Sequence, residues 1–277
     1  MEENENKYLT LEETHKALLE LMTEFDKICV ENGLRYSIAY GTLLGAVRHR
    51  GFIPWDDDVD FVMPRPDYER MCALIRSGQI DLGDHLILSD DRSGKAFYSF
   101  CKLMDTRYRI KRWSQREVKY LYVDIFPLDG APEDEKDLKI HYRRRLKYSA
   151  IMALARWAVP EKKWMLCFRV LGFPFYLAAT LYGMHRAARK ANKLAARYDF
   201  ETHDEYSTFS FGTEKWLMPR ATFEQPAVRL LFEDKSFYSI AAWDEWLTKI
   251  YGDYMTPPPE NKRNAHSLKV LRPEQEI

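Results

Sequence analysis

The chain has 277 residues, 46% of them hydrophobic and 30% charged, and its 42 Lys and Arg balance 42 Asp and Glu. That length buries a substantial core, as one large domain or one domain with an elaboration. The composition excludes a disordered chain, and the zero net charge excludes a protein that binds nucleic acid over its whole surface. No two of the four cysteines (Cys29, Cys72, Cys101 and Cys167) form a CxxC pair, so core thiols are expected rather than a zinc ribbon or redox motif. Met1 to Asn6 is acidic and polar and makes no signal peptide, which leads to the expectation of a cytoplasmic protein.

In chain order, residues 10 to 31 predict an amphipathic helix. Thr10 and Glu13 have capping-box spacing, and Leu18, Leu21, Met22, Phe25, Ile28 and Cys29 recur at helical intervals. Asn32-Gly33 stops it. Leu34 to Tyr40 alternates as a strand ended by Gly41, and Thr42 to Val47 reads as a short helix. Arg48 to Asp57 is a loop, and Val59 to Met63 a second strand. Pro64 and Pro66 end that strand, and Asp67 can cap a helix running to about Arg76. Phe97 to Met104, Arg107 to Trp113 and Tyr120 to Phe126 are further expected strands, the last ended by Pro127. Strands and helices mix around one sheet over these 130 residues, an α+β or α/β pattern.

The character then changes. Residues 136 to 197 hold 15 Lys and Arg against Asp137 and Glu161, a net charge of +13, which leaves −13 for the rest. Residues 206 to 255 return to mixed, aromatic-rich sequence, and Tyr251 to His266 is a Pro-rich terminal loop. The chain thus divides into 1–135, a basic helical insert at 136–200, and 201–277.

The densest chemical signal is Trp55-Asp56-Asp57-Asp58-Val59-Asp60-Phe61-Val62-Met63. Side chains alternate along a strand, so Asp58 and Asp60 point one way while Val59, Phe61 and Met63 point into a core. Two carboxylates about 4 Å apart repel by roughly 4 kcal/mol at an effective dielectric of 20, and require a cation, a shared proton or full solvation. Asp124, in the apolar strand Tyr122-Val123-Asp124-Ile125-Phe126, is a third member if its strand lies beside the second. Hard oxygen donors at that density suit Mg²⁺ or Mn²⁺, held by Asp58, Asp60 and Asp124. Asp56 and Asp57 read equally well as a solvated turn. A calcium loop is a poor match, because Phe61 stands where the loop glycine belongs.

Tyr40-Gly41-Thr42-Leu43-Leu44-Gly45 sets a glycine and a hydroxyl at a strand-to-helix junction, where free N–H groups can hold a phosphate; no Walker A lysine follows. Arg48, His49 and Arg50 can neutralise phosphate oxygens or form a solvated basic turn. Lys102, charged among apolar neighbours, is a candidate phosphate contact. In the insert, Trp164 to Met184 is long and apolar but contains Arg169 and Pro174. It reads either as a buried helical hairpin or as helices lying on a membrane surface, with anionic lipid drawn to Arg143-Arg144-Arg145 and to the 186–197 cluster.

Three blocks carry a family resemblance: Tyr40 to His49 with Gly51 to Asp60 and Met63-Pro64-Arg65; Asp124-Ile125-Phe126-Pro127-Leu128-Asp129-Gly130; and Tyr251-Gly252-Asp253-Tyr254-Met255 followed by prolines, Lys262, Arg263 and His266. Together they resemble the LicD family of phosphocholine transferases, related to the fukutin-type proteins. The resemblance spans the chain except its middle. It implies an α+β, nucleotidyltransferase-like mixed-sheet core flanked by helices, with 1–135 as catalytic core and 201–277 completing the active-site domain. It also implies Mg²⁺-dependent transfer of phosphocholine, or a related phospho-alcohol, from a CDP-linked donor such as CDP-choline to a sugar hydroxyl on a cell-surface glycan precursor. That precursor would be lipopolysaccharide or teichoic acid, often lipid-linked, and the protein would work at the inner face of the membrane. Asp58, Asp60 and Asp124 would be catalytic. Gly41, Thr42, Arg48, His49, Lys102, Lys262 and Arg263 would meet phosphates, and Trp55, with Tyr40, Tyr98 and Tyr122, would face the choline cation. Other readings are transfer of a nucleoside monophosphate with pyrophosphate release, and an inactive membrane-associated adaptor; the complete acidic set speaks against the latter.

Overall fold

The computed structural model describes residues 7–92, 98–111, 119–155, 166–210, 216–224, 227–263 and 268–273, with the backbone alone at 166–171, 224 and 262. It opens on helix α1 (Leu11–Glu31). The Thr10 hydroxyl accepts the Glu13 N–H at 3.2 Å, and the Glu13 carboxylate accepts the Thr10 N–H at 2.7 Å. Both arms of the expected capping box are present. Leu18, Leu21, Met22, Phe25, Ile28 and Cys29 are buried, each contributing about 1.5–3 kcal/mol of apolar burial.

A mixed sheet forms the centre. Its strands are β1 (Ser37–Ile38), β2 (Asp60–Pro64), β3 (Leu86–Ser89), β4 (Cys101–Arg109) and β5 (Tyr120–Gly130) in the order β1-β2-β5-β4-β3, with β6 (Glu205–Ser207) and β7 (Met218–Pro219) added beyond the end of β4. Only β2 and β5 run parallel; the other pairs are antiparallel. Helices α2 (Tyr40–His49), α3 (Arg65–Arg76), α4 (Glu135–Ala155), α5 (Leu166–Tyr182), α6 (Met184–Ala195), α7 (Ala221–Glu224) and α8 (Trp243–Tyr251) flank the sheet, and β8 (Val228–Phe232) and β9 (Lys235–Ser239) form a separate hairpin. The architecture is α+β, a mixed sheet flanked by helices. Cys29, Cys72 and Cys101 are buried free thiols, as expected; the side chain of Cys167 lies outside the described residues.

Several boundaries differ from expectation. The first strand stops at Ile38, because Tyr40 turns the chain with a left-handed φ of 47°, and α2 starts there rather than at Thr42. The expected strands at 97–104 and 107–113 are one strand, β4, with a register shift between Asp105 and Arg109; Phe97, Arg112 and Trp113 lie outside the described residues. Strand β5 does not end at Pro127 but continues to Gly130. The Asp124 N–H bonds Val59 across the β2 side, so by alternation the N of Pro127 faces the opposite edge. There β5 has left β4 at Ile125 and not yet met β6 at Asp129. No ladder bond is lost.

The helical layer α4–α6 has its own apolar seam. Met152, Ala155, Ala179, Met184, Ala187, Ala188 and Ala191 are buried together, and small alanines on α6 allow close approach to α4. Leu138 and Tyr142 of α4 join Ala131, Ala195 and Phe209 to tie this layer to the sheet.

Candidate active site

Strand register lines up a row of polar side chains on one face of the sheet. Asp60 on β2 stands opposite Asp124 on β5, Asp124 stands opposite Lys102 on β4, and Lys102 stands opposite Ser89 on β3. The apolar residues between them, Val59, Phe61, Met63, Val123 and Ile125, are buried on the other face. Phe61, for example, packs on Phe25 and Tyr36. A cavity of about 710 Å³ opens over this row, and Asp56, Asp58, Asp60, Asp124 and Lys102 all line it. The expected convergence of three carboxylates from two separate stretches is therefore present at the level of one cavity, and Asp56 makes a fourth.

The electrostatics are those of an acid-rich pocket. Burial first, then Asp58, Asp124 and Asp56, push the Asp60 carboxyl well above the usual carboxylate range; Lys102 opposes the shift. The Tyr251 phenol, which also lines the cavity, is raised by burial and by Asp60, Asp56 and Asp58. Lys102 is almost fully buried and pairs with Asp124. Its ammonium lies 3.6 Å from the Tyr122 ring centroid, 4.5 Å from Tyr98 and 5.3 Å from Phe100. Those rings continue through Phe126 and Tyr40 to Trp216. One wall is thus aromatic and already holds a cation, while another is carboxylate.

The donor set fits a hard divalent cation: among the described lining residues stand four carboxylates, no thiol or imidazole, and an excess of negative charge over Lys102 and Arg145. Among the described residues, no three acidic side chains already stand close enough together to hold an ion. The Asp124 carboxylate is paired with the Lys102 ammonium. An ion here would have to draw Asp124 from that partner.

The glycine turn supports the acids directly. A Cβ at Gly41 would lie 2.7 Å from a carboxylate oxygen of Asp56, so any larger residue would have to displace that carboxylate. The buried Thr42 hydroxyl accepts the Asp60 N–H at 2.9 Å and fixes the start of β2. Tyr40 is held in its uncommon conformation by Phe126, Trp216 and Trp246 and by a hydrogen bond between its hydroxyl and Thr208. Asp57 is buried, and its carboxylate accepts the Leu268 N–H at 2.6 Å. It ties down the C-terminal segment instead of forming a solvated turn.

The remaining sequence candidates group apart from the cavity lining. Arg48 donates to the Tyr254 carbonyl at 2.7 Å, His49 stands edge-on to Trp55, and the Arg263 guanidinium lies 4.4 Å from the Trp55 ring centroid. Burial lowers both Arg48 and His49. The Lys262 side chain and all of His266 lie outside the described residues. Sequence reading missed Arg145, which reaches the cavity from α4 with Ser149 and Met152. The signal was there: Leu138, His141, Tyr142, Arg145, Ser149 and Met152 recur at helical spacing on one face, whereas Arg143 and Arg144 point outward.

A second buried charge cluster closes the other end of the same strands. Arg65 donates to both carboxylate oxygens of Asp129, at 2.6 and 2.8 Å, and to Asn192 of α6 at 2.8 Å. Asn192 in turn donates to Asp91 at 3.1 Å. This network fastens the helical layer to the sheet.

Comparison with known proteins agrees with this geometry. Residues 33–162, which carry Gly41, the Asp58/Asp60 pair, Lys102 and Asp124, match the family model described as LicD/FKTN/FKRP, nucleotidyltransferase domain. The lipopolysaccharide cholinephosphotransferase LicD of Haemophilus influenzae is 28% identical over 95% of this chain and 98% of its own length. An uncharacterized protein of Rickettsia prowazekii is 30% identical over 49% of this chain and 48% of its own length. Residues 33–162 are thus a LicD-family domain, and the likeness to LicD runs along 95% of the chain.

Proposed function

We propose that this chain is a divalent-cation-dependent transferase on a nucleotidyltransferase-like core. It moves phosphocholine, or a related phospho-alcohol, from a CDP-linked donor to a sugar hydroxyl of a cell-surface glycan precursor such as lipopolysaccharide or teichoic acid. The observation that carries this reading is the cavity where Asp56, Asp58, Asp60 and Asp124 face an aromatic wall holding the Lys102 ammonium. A carboxylate wall suits a metal–diphosphate, and an aromatic wall suits a quaternary ammonium. The name of the Haemophilus influenzae relative supports the same head group and acceptor class.

Asp58, Asp60 and Asp124 would hold Mg²⁺ or Mn²⁺, which when bound supplies charge neutralisation on the diphosphate. The chain's own residues do the rest. Lys102 and Arg145 are cations within the cavity and take phosphate oxygens; Arg48, Lys262 and Arg263 supply further positive charge from the C-terminal side. The free amides at the start of α2, at Gly41 and Thr42, offer donors for a phosphate. Tyr98, Tyr122 and Tyr40 present ring faces to the alcohol cation, with Trp55 on the Arg263 side. In the transfer, the acceptor oxygen forms a new P–O bond, the P–O bond to CMP breaks with its electron pair leaving on CMP, and the acceptor proton passes to a carboxylate, the role assigned to Asp124 in this reading. Such chemistry asks for positioning and electrostatics more than covalent steps. An acceptor of that class would be met at the inner face of a membrane.

The test is a screen of CDP-linked alcohols for CMP release, with EDTA and then with Mg²⁺ restored. CMP from one donor, lost with EDTA and regained with Mg²⁺, is the expected result. Pyrophosphate release from a nucleoside triphosphate, with no CMP from any donor, would instead establish nucleotidyl transfer.

A further inference from the structure

The outward face of the helical layer has a chemistry the cavity does not use. Eleven large hydrophobic side chains are exposed among the described residues, and six of them, Ile140, Leu146, Phe173, Phe175, Leu177 and Leu181, lie on α4 and α5. Phe173, Leu177 and Leu181 are four residues apart and make one stripe; Leu181 is 77% exposed. A helix packed into a core does not leave such a stripe in water, so the buried-hairpin reading fails for this part of α5. The stripe is framed by cations. From the start of α4 to Arg197, ten described Lys and Arg side chains are exposed against two exposed acids, Glu135 and Asp137. On α6 the division is clean: Ala187, Ala188, Ala191 and Ala195 face inward, while Arg186, Arg189, Lys190 and Lys193 face out.

We infer that α4–α6 form a docking face for the surface of an anionic lipid bilayer, with the α5 stripe entering the acyl boundary and the basic residues meeting the head groups. Charge and polarity together select this occupant. A second copy on this face would set ten cations against ten, and a nucleic acid has no use for an apolar stripe. No described helix is long and apolar enough to cross a membrane, so the mode is lateral contact.

The face also has a place in the chemistry, a step that rests on the transferase reading. Helix α4 turns Arg145, Ser149 and Met152 into the cavity and exposes Ile140, Leu146 and Lys147 on its other sides. The cavity therefore lies about one helix diameter, ~10 Å, beneath the docking face, and an acceptor anchored in that bilayer presents its sugar beside the carboxylates.

The experiment is flotation of the full chain with vesicles of phosphatidylcholine alone, or with about one third phosphatidylglycerol. Binding is expected only to the anionic vesicles, falling at least about tenfold between ~50 mM and ~500 mM salt. Leu177→Ser with Leu181→Ser, and separately Arg186→Glu with Lys190→Glu, should each weaken binding at least about tenfold. The circular dichroism spectrum and thermal midpoint should not change. Three results overturn the inference: no flotation at low salt, equal binding to neutral vesicles at high salt, or self-association abolished by the same variants in the absence of any vesicle binding. Because flotation needs no turnover, vesicle binding without CMP release sinks the transferase reading alone, and CMP release without vesicle binding sinks the docking face alone.

Discussion

The two ends of the parallel β2/β5 pair hold the same kind of residue in opposite circumstances. At one end, Asp60 and Asp124 share a cavity with Asp56 and Asp58, and Lys102 and Arg145 are the Lys and Arg among its described lining residues. At the other end, five residues along β5, Asp129 is fully buried but bound through both oxygens by Arg65, which is itself bound to Asn192. Burial raises the carboxyls of both Asp60 and Asp129; at Asp129 Arg65 pulls back, whereas at Asp60 three more acids push further. On the transferase reading proposed above, the contrast separates a charge kept for assembly from a charge kept for chemistry. A buried acid with a complete set of partners contributes to a unique fold. A cluster of acids in one cavity costs stability unless positive charge is brought to it.

Substitution at each end should break in different currencies. The largest effect is expected on turnover. Asp60→Asn keeps the shape and removes the charge, and should lower CMP release by about 10³-fold, roughly 4 kcal/mol of transition-state stabilisation, with the chain still folded by circular dichroism. Turnover within a few-fold of the parent would falsify the metal role of Asp60. Next in size is Asp129→Asn, which leaves Arg65 buried without its counter-charge and should cost about 3–5 kcal/mol in urea unfolding. Pairing Arg65→Met with Asp129→Leu should recover most of that loss, because both charges go together. If the double variant is as unstable as the single one, the network is more than an ion pair.

How much of this contrast the sequence reveals follows from how local each signal is. The α1 cap, the core face of Val59, Phe61 and Met63, and the acidic stretch are written in adjacent residues, and period-two alternation orders them. The pairing of Asp60 with Asp124 depends on a parallel register 64 residues away, which no local pattern dictates; only the apolar strand around Asp124 pointed to it. The Arg65–Asp129 pair was unreadable for the same reason, although both residues stood inside family blocks. Arg145 was hidden by its two basic neighbours, since a charge run reads as solvated until the helical face is laid out. The β8–β9 hairpin left no glycine signal, because its turn places Glu233 at a positive φ of 54°. Glu233 is held there by accepting the Phe52 N–H at 3.0 Å and donating its own N–H to Arg50 at 2.7 Å.

A smaller effect sharpens the comparison from the stability side. If the cavity acids repel one another without a cation, Asp60→Asn should raise the urea midpoint in EDTA, by an amount on the order of 1–2 kcal/mol. The same change at Asp129 lowers it. Added Mg²⁺ should stabilise the parent chain and leave Asp60→Asn nearly unmoved. An Asp60→Asn chain less stable than the parent in EDTA would mean that this carboxylate is as fully partnered as Asp129.

The smallest effect concerns the joint between helical layer and sheet, where neither kind of acid sits. His141 on α4 is buried between the rings of Tyr198 and Phe209. Burial, then Arg197, Arg144 and Arg145, lower its imidazole from 6.5 to about 4. The unfolded chain therefore takes up a proton at this site at a higher pH than the folded chain does. Stability from His141 is whole above about pH 6.5 and drains away as pH falls towards 4. His141→Phe keeps the ring contacts without the titrating nitrogens, and should flatten that part of the urea-midpoint profile while leaving the midpoint above pH 7 within about 1 kcal/mol of the parent. A profile as steep in His141→Phe as in the parent would assign the acid sensitivity to the carboxylates, and the comparison between the two ends of β5 would then have to account for all of it.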